Sequence, residues 1–81
     1  MSVRSMVTTI LEQVAREQQF TLEPLSDDLK LSESGIDSLS FAITVVKLED
    51  ALGFDPFNSD EPIEFPITLG DFIHLYETRR R

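Results

Sequence analysis

The residues with the clearest chemical use lie side by side in the segment 35–39, Gly-Ile-Asp-Ser-Leu. Gly35 permits a backbone conformation that other residues resist, which suits the end of a long loop. Asp37 and Ser38 place a carboxylate and a hydroxyl at the start of a predicted helix, where the helix dipole favours negative charge. A phosphate ester formed on Ser38 would therefore lie where helix N-termini bind anions. Because Asp and Ser are also the commonest N-caps, their spacing alone favours a capping role.

Catalytic and metal-binding arrangements have weak support. The sequence has one histidine, His74, and no cysteine, which excludes a cysteine nucleophile and a thiolate metal site. A hydrolase built on Ser38 and His74 is the least favoured hypothesis, because a lone histidine on a helix is most often structural. One run of oxygen donors lacks the alternating order and the glycine of an EF-hand loop: Asp55, Asn58, Ser59, Asp60, Glu61. We therefore expect no catalytic residue and no metal site.

The chain is strongly acidic, with a net charge of −8 over 81 residues. Thirteen of its 15 acidic residues lie within residues 23–77, which contain two lysines and no arginine. Such a segment repels the phosphate backbone of nucleic acids and attracts a basic protein partner. No apolar run approaches the roughly 20 residues of a membrane helix, and residues 1–7 lack the layout of a signal peptide. The expectation is a cytoplasmic monomer that binds other proteins.

Hydrophobic periodicity predicts an all-α fold, a small helical bundle in a single domain over residues 1–81. Three main helices are expected at about 3–18, 38–52 and 69–78, with a short helix at about 60–65. The first helix follows from an apolar stripe at helical spacing: Val3, Met6, Val7, Ile10, Leu11, Val14. A long loop follows it, and the many apolar residues of this loop indicate that it packs on the core.

The second predicted helix is unusual because it is apolar around most of its circumference. One narrow polar strip is shared by Ser40, Thr44, Lys47 and Ala51, and only Glu49 and Asp50 interrupt the wide apolar arc, near the C-terminal end. One apolar face can pack on the first helix, which leaves apolar side chains over at the N-terminal turns. We expect these residues, Leu39, Phe41 and Ile43, to meet either the long loop or another molecule.

The motif Gly35-Ile36-Asp37-Ser38-Leu39, followed by an apolar helix that ends in residues 48–54, resembles the acyl carrier protein family. Residues 67–72, Ile-Thr-Leu-Gly-Asp-Phe, are similar to the start of that family's last helix. The resemblance implies that Ser38 carries 4′-phosphopantetheine, transferred from coenzyme A by a phosphopantetheinyl transferase. The thiol of this arm would hold an acyl group as a thioester and deliver it to acyl-loading and acyl-using enzymes. Asp37 would help present the site, with a bound Mg²⁺, to the transferase, and Leu39 would contact partners.

One departure from the family pattern bears on the pathway. Carriers of bacterial fatty-acid synthesis usually have acidic residues in the first turns after the serine, whereas residues 40–45 here contain none. The docking surface is therefore predicted to be more apolar, formed by Leu39, Phe41 and Ile43 with the first acids of the helix, Glu49 and Asp50. This favours a carrier of a specialised lipid, polyketide or secondary-metabolite pathway. An aminoacyl, peptidyl or D-alanyl carrier and a cofactor-free helical adaptor remain as alternatives.

Overall fold

The computed structural model describes residues 2–57 and 64–78. It contains three α-helices in this part of the chain: α1 (Val3–Gln18), α2 (Ser38–Leu52) and α3 (Leu69–Thr78). One turn of 3-10 helix, Leu31–Glu33, interrupts the long loop between α1 and α2. The all-α prediction is confirmed, and the helices occupy the ranges expected from the sequence. The predicted short helix at 60–65 lies largely outside the described residues, and residues 64 and 65 are not helical.

The helix ends follow the capping signals of the sequence. The Ser2 hydroxyl oxygen accepts a hydrogen bond from the Ser5 backbone N–H at 3.1 Å. The C-cap of α1, Gln19, adopts the left-handed conformation. At the start of α3, the Asp71 N–H donates to the Thr68 hydroxyl at 3.1 Å, while the Thr68 N–H donates to the Asp71 carboxylate at 3.2 Å. This reciprocal pair is a capping box, which satisfies two N–H groups that would otherwise have no partner within the helix.

The apolar stripes of α1 and α3 form the centre of the core, and α1 packs against both other helices. Most side chains of the α1 stripe are buried, among them Val7, Ile10, Leu11 and Val14. The buried side chains of α3 are Leu69, Phe72, Ile73 and Tyr76. Because both stripes follow the 3.6-residue period, the sequence was sufficient to orient these two helices towards the core.

Helix α2 buries the part of its surface that the sequence makes most polar. Ser40 and Thr44 lie with Leu48 on the face that packs inward, and all three are at most 2 % exposed. The Thr44 hydroxyl donates to the Ser40 backbone carbonyl at 2.8 Å, so burial leaves this hydroxyl with a hydrogen-bond partner. Leu39 and Val46 are 64 % and 58 % exposed on the other side. Of the apolar residues predicted to be left over at the N-terminal turns, Leu39 is exposed on this outer face, whereas Phe41 and Ile43 are half-buried.

The long loop is held against the N-terminal ends of α1 and α3. Its Asp27 carboxylate forms an ion pair with Arg4 of α1, and its Asp27 carbonyl accepts the Gly70 N–H of α3 at 3.0 Å. A Cβ at Gly70 would lie 3.0 Å from that carbonyl oxygen, so a glycine permits the close approach of the two backbones. The loop therefore has a fixed position relative to both helices, as its apolar content indicates.

Candidate functional site

The loop enters α2 through a tight backbone arrangement centred on Gly35. This glycine has a φ of +97°, and a Cβ there would overlap the carbonyl oxygen of Thr21. Just before it, the Ser34 carbonyl accepts the Glu23 N–H at 3.0 Å, which ties the two ends of the loop together. The Ser34 hydroxyl is buried and donates to the Leu31 carbonyl at 2.7 Å. The chain therefore reaches α2 along a path fixed by backbone contacts, and only glycine fits at position 35 without strain.

Asp37 is the N-cap of α2. Its carboxylate accepts the Ser40 N–H at 2.7 Å, and its carbonyl accepts the Phe41 N–H at 2.9 Å. The hydrogen bond from the Ser40 backbone lowers the pKa of the Asp37 carboxyl, so this group is ionised at neutral pH. The capping role suggested by the sequence is present here, and it leaves one carboxylate beside the neighbouring serine.

Ser38 is the first residue of α2 and is exposed to solvent. Ser38 and Leu39 are the first two residues of α2, so their backbone N–H groups have no acceptor within the helix. These two groups and the helix dipole form an environment in which a phosphate attached to the Ser38 oxygen is favoured. The hydroxyl is therefore accessible to a modifying enzyme, and the helix start suits a phosphate ester.

His74 does not contribute to this site. It lies on α3 with an exposed side chain, and it is not among the residues around the cavity beside Ser38. The lining of this cavity therefore gives no support to a hydrolase built on these two residues. Among the described residues, no group of three or more acidic or histidine side chains converges in a way that could hold a metal ion.

An open apolar groove of about 600 Å³ borders Ser38. Its lining includes Leu31 and Ile36 of the loop, and Phe65 and Ile67 of the segment before α3. Phe41 of α2 also contributes to its lining. Phe65 and Ile67 are 68 % and 66 % exposed, so the groove is apolar and open to solvent.

Phe41 belongs to a cluster of aromatic rings, two of which, Phe41 and Phe65, line the groove. Its ring centroid lies 5.2 Å from that of Phe72, 5.5 Å from that of Phe65 and 6.1 Å from that of Phe57. Phe72 in turn contacts Tyr76 at 5.2 Å, and both are fully buried. The ring of Phe41 is half-buried in this aromatic cluster and packs towards α3.

The residues expected at the site are divided between two parts of α2. Asp37, Ser38 and Phe41 lie together at the groove, while Glu49 and Asp50 are exposed near the other end of the helix. Leu39 is exposed, and Ile43 is half-buried. Sequence reasoning did not single out Val46, which follows Leu39 by seven residues and therefore lies on the same face.

Phe65 and Ile67 were also missed as site residues. Two apolar side chains on either side of Pro66 were the available signal, since they lie outside the periodic stripe of α3. The residues of α2 expected at the site could be found from the motif, because they are adjacent in sequence. Phe65 and Ile67, about 30 residues later in the chain, are brought to the groove by the fold.

None of the helices in the described ranges has the length and apolar composition required to cross a bilayer. Comparison with known families gives one match: the family described as "Phosphopantetheine attachment site" aligns with residues 7–60, which is 54 of the 81 residues. Searches of curated proteins and of solved structures returned no match. The matched range includes most of α1, the long loop and the whole of α2, with Ser38 at its start. The chain therefore belongs to the phosphopantetheine-binding carrier family, whose domains carry 4′-phosphopantetheine covalently, as its resemblance to acyl carrier proteins predicted.

Proposed function

We propose that the chain is an acyl carrier protein in which Ser38 is the attachment residue for 4′-phosphopantetheine. The observation that carries this proposal is the position of Ser38: an exposed hydroxyl on the first turn of a capped helix, within the range matched by the family. The chain would act as a substrate of a phosphopantetheinyl transferase and afterwards as a carrier, with no catalysis of its own.

The residues at the site have separable roles in this function. In the transfer reaction the Ser38 oxygen forms a new ester bond to the phosphorus of the arm, the nucleotide part of coenzyme A leaves, and the serine proton goes to the transferase or solvent. Asp37 holds the first turn of α2 through the Ser40 N–H and keeps a negative charge beside the serine. The bound arm supplies a thiol that a chain without cysteine does not have.

The exposed face of α2 is the proposed docking surface for partner enzymes. Leu39 and Val46 are exposed along it with Ala42 between them, at spacings that place all three on one side of the helix. Glu49 and Asp50 lie at its C-terminal end, and the acidic field around it would steer a basic partner towards it. The proposed docking surface therefore includes Leu39, which was expected from the sequence, and Val46, which was not.

Two residues expected at the docking surface, Phe41 and Ile43, are less exposed to solvent than Leu39. Ile43 borders the docking surface with a half-buried side chain, so it would contribute at the edge. Phe41 contacts Phe72 within the aromatic cluster, and we assign it to the lining of the groove. A partner that docks on α2 would therefore reach the groove at the N-terminal end of the same helix.

The cargo and pathway belong to the proposal as well. The absence of acids in residues 40–45 favours a carrier of a specialised lipid, polyketide or secondary-metabolite pathway over the housekeeping fatty-acid carrier. Aminoacyl, peptidyl and D-alanyl carriers would use the same serine and differ in what the thiol holds. The cytoplasmic location and the monomeric state stay predictions from the sequence.

Mass spectrometry after incubation with coenzyme A and a broad-specificity phosphopantetheinyl transferase tests the attachment residue. The wild type is expected to gain the mass of one arm, and the Ser38→Ala variant is expected to gain none. Ser32→Ala is the matched control, because Ser32 is an exposed serine beside the same groove and its loss should leave the modification intact. A Ser38→Ala variant that gains the arm would contradict the assignment. An unmodified wild type would favour a cofactor-free helical adaptor.

A further inference from the structure

We propose that Ser34, a buried serine of the long loop, is a positioning residue that holds the start of α2 so that the Ser38 hydroxyl is presented to the transferase. This inference rests on the proposed attachment at Ser38 and adds to the site a residue that does not touch the reacting atoms. It depends on three observations: the burial of Ser34, the hydrogen bonds of its hydroxyl, and the different contacts made by Asp37.

The Ser34 side chain lies in the interior, whereas the neighbouring serines are at the surface. Ser34 is 3 % exposed, while Ser32 and Ser38, two residues before it and four residues after it, are exposed to solvent. A buried hydroxyl gives up its hydrogen bonds to water, so its burial costs little only where the protein supplies partners. The partners of the Ser34 hydroxyl therefore indicate what it does.

The Ser34 hydroxyl joins the 3-10 turn of the loop to the entry of α2. It donates to the Leu31 carbonyl at 2.7 Å and accepts the Ile36 N–H at 3.3 Å. Leu31 is in turn held by the segment before α3, because its N–H donates to the Ile67 carbonyl at 2.9 Å. The backbone two residues before Ser38 is therefore connected to the body of the molecule through one hydroxyl.

The backbone around Ser34 fixes the position of this hydroxyl. The Ser34 carbonyl accepts the Glu23 N–H at 3.0 Å, and the Ser34 N–H donates to the Leu31 carbonyl at 3.2 Å. The next residue, Gly35, has a φ of +97° and lies close against the Thr21 carbonyl. Ser34 is therefore held on both sides, which makes its hydroxyl a fixed point for the chain that follows.

Asp37 makes contacts of a different kind. Its carboxylate and its carbonyl accept the N–H groups of Ser40 and Phe41, and both of these residues belong to α2. These two bonds keep the first turn helical, whereas the Ser34 hydroxyl sets where that turn lies relative to the loop. Transfer requires the Ser38 oxygen to be placed against the phosphorus of coenzyme A, and a small displacement of a reacting atom lowers a rate strongly. Loss of the Ser34 hydroxyl should therefore slow transfer even while the helix start stays capped.

Steady-state kinetics of a phosphopantetheinyl transferase acting on the Ser34→Ala variant tests this role. At saturating coenzyme A we expect kcat to fall about three- to tenfold, as for the loss of one neutral hydrogen bond. The KM for the carrier should stay nearly unchanged, because Ser34 is buried and the docking surface on α2 keeps all its residues. An unchanged kcat, or a higher KM at constant kcat, would overturn the proposal.

Two matched variants separate positioning from stability. Ser32→Ala removes an exposed hydroxyl from the same turn of the loop and should leave kcat unchanged. Ile73→Val removes one buried methyl group from α3, so it should lower the melting temperature about as much as Ser34→Ala does without slowing transfer. An equal fall in kcat for Ile73→Val would refute the positioning role, because a general loss of stability would then account for it.

Amide hydrogen exchange of the unmodified chain measures the contact itself. In Ser34→Ala the Ile36 amide loses its acceptor and should exchange about three- to tenfold faster. The Phe41 amide, which is bonded to the Asp37 carbonyl, should keep its rate. An unchanged rate at Ile36 would contradict the proposal. A wild type that gains no arm would instead contradict the proposed function, and the two failures are distinguishable because the exchange measurement does not need the arm.

Discussion

The burial of Thr44 and the exposure of Val46 in α2 lead to a prediction opposite to the one that hydropathy gives. Thr44 is fully buried, whereas Val46 is 58 % exposed two residues later. A hydropathy pattern would place the valine in the core and the threonine in solvent. Introduction of a lysine at each position, Thr44→Lys and Val46→Lys, gives a matched pair with the same added group on the same helix.

The two substitutions should differ by several kcal/mol in the free energy of unfolding. A lysine forced to stay neutral at pH 7 by burial at position 44 costs about 4–5 kcal/mol, because its ordinary pKa is about 10.4 and each pKa unit corresponds to about 1.4 kcal/mol. Its larger volume adds about 1–3 kcal/mol of strain in a packed site. At position 46 the ammonium remains in water, and the change should stay within about 0.5 kcal/mol.

Urea unfolding at pH 7, followed by circular dichroism, measures both values. A small domain with a total stability of about 5–15 kcal/mol will unfold partly or wholly with a lysine at position 44. If Thr44→Lys does not fold, Thr44→Val keeps the result interpretable. This variant replaces the buried hydroxyl by a methyl group and should change the free energy of unfolding by about 1 kcal/mol or less. Equal losses for the two lysine variants, or a greater loss for Val46→Lys, would refute the assignment of buried and exposed faces.

The backbone at the site gives two further predictions. Gly35→Ala should destabilise the fold more than Gly53→Ala, because both glycines have positive φ but only a Cβ at position 35 would overlap a neighbour, the Thr21 carbonyl. Thermal unfolding should show a cost of about 1–2 kcal/mol at Gly53, from the positive φ alone, and about 1–3 kcal/mol more at Gly35. Equal melting temperatures of the two variants would contradict this contact. The second prediction concerns pH. In the folded protein the pKa of the Asp37 carboxyl lies below its ordinary value of 3.8, so the ionised carboxylate stabilises the fold at pH values above 3.8. This stabilisation is lost as the pH falls through the pKa of the folded state. Urea unfolding from about pH 5 to about pH 3 should therefore show a steeper loss for the wild type than for Asp37→Asn, and parallel curves would contradict this role for the carboxylate.

The helices could be predicted from the sequence because their signals are local. The apolar stripe of α1 repeats at helical spacing, and the Thr68–Asp71 pair is a capping box that needs only three residues of separation. Gly53 ends α2 in the left-handed conformation that glycine adopts most readily. The proposed attachment motif could also be found from the sequence, since Asp37 and Ser38 are adjacent.

The groove could not be predicted, because it depends on contacts between distant parts of the chain. Phe65 and Ile67 belong to the segment before α3, and hydrogen bonds from Leu31 to Ile67 and from Leu69 to Leu29 hold that segment beside the long loop. The sequence placed Phe41 beside either the loop or a partner, whereas its main ring contacts include Phe72 of α3. Pairings of this kind are set by tertiary packing and leave no periodic signal in one sequence.

The inverted polarity of α2 has a physical basis that connects stability with the proposed carrier role. Small side chains at positions 40 and 44 let α2 approach its neighbours closely, and the Thr44–Ser40 hydrogen bond keeps the buried hydroxyl satisfied, so the desolvation cost is small. Full burial of Leu39 or Val46 instead would have added about 1.5–3 kcal/mol each to the fold. That forgone stabilisation is large for a chain of 81 residues. Exposed apolar groups can instead stabilise each successive complex, and this favours α2 as a surface for repeated, reversible docking.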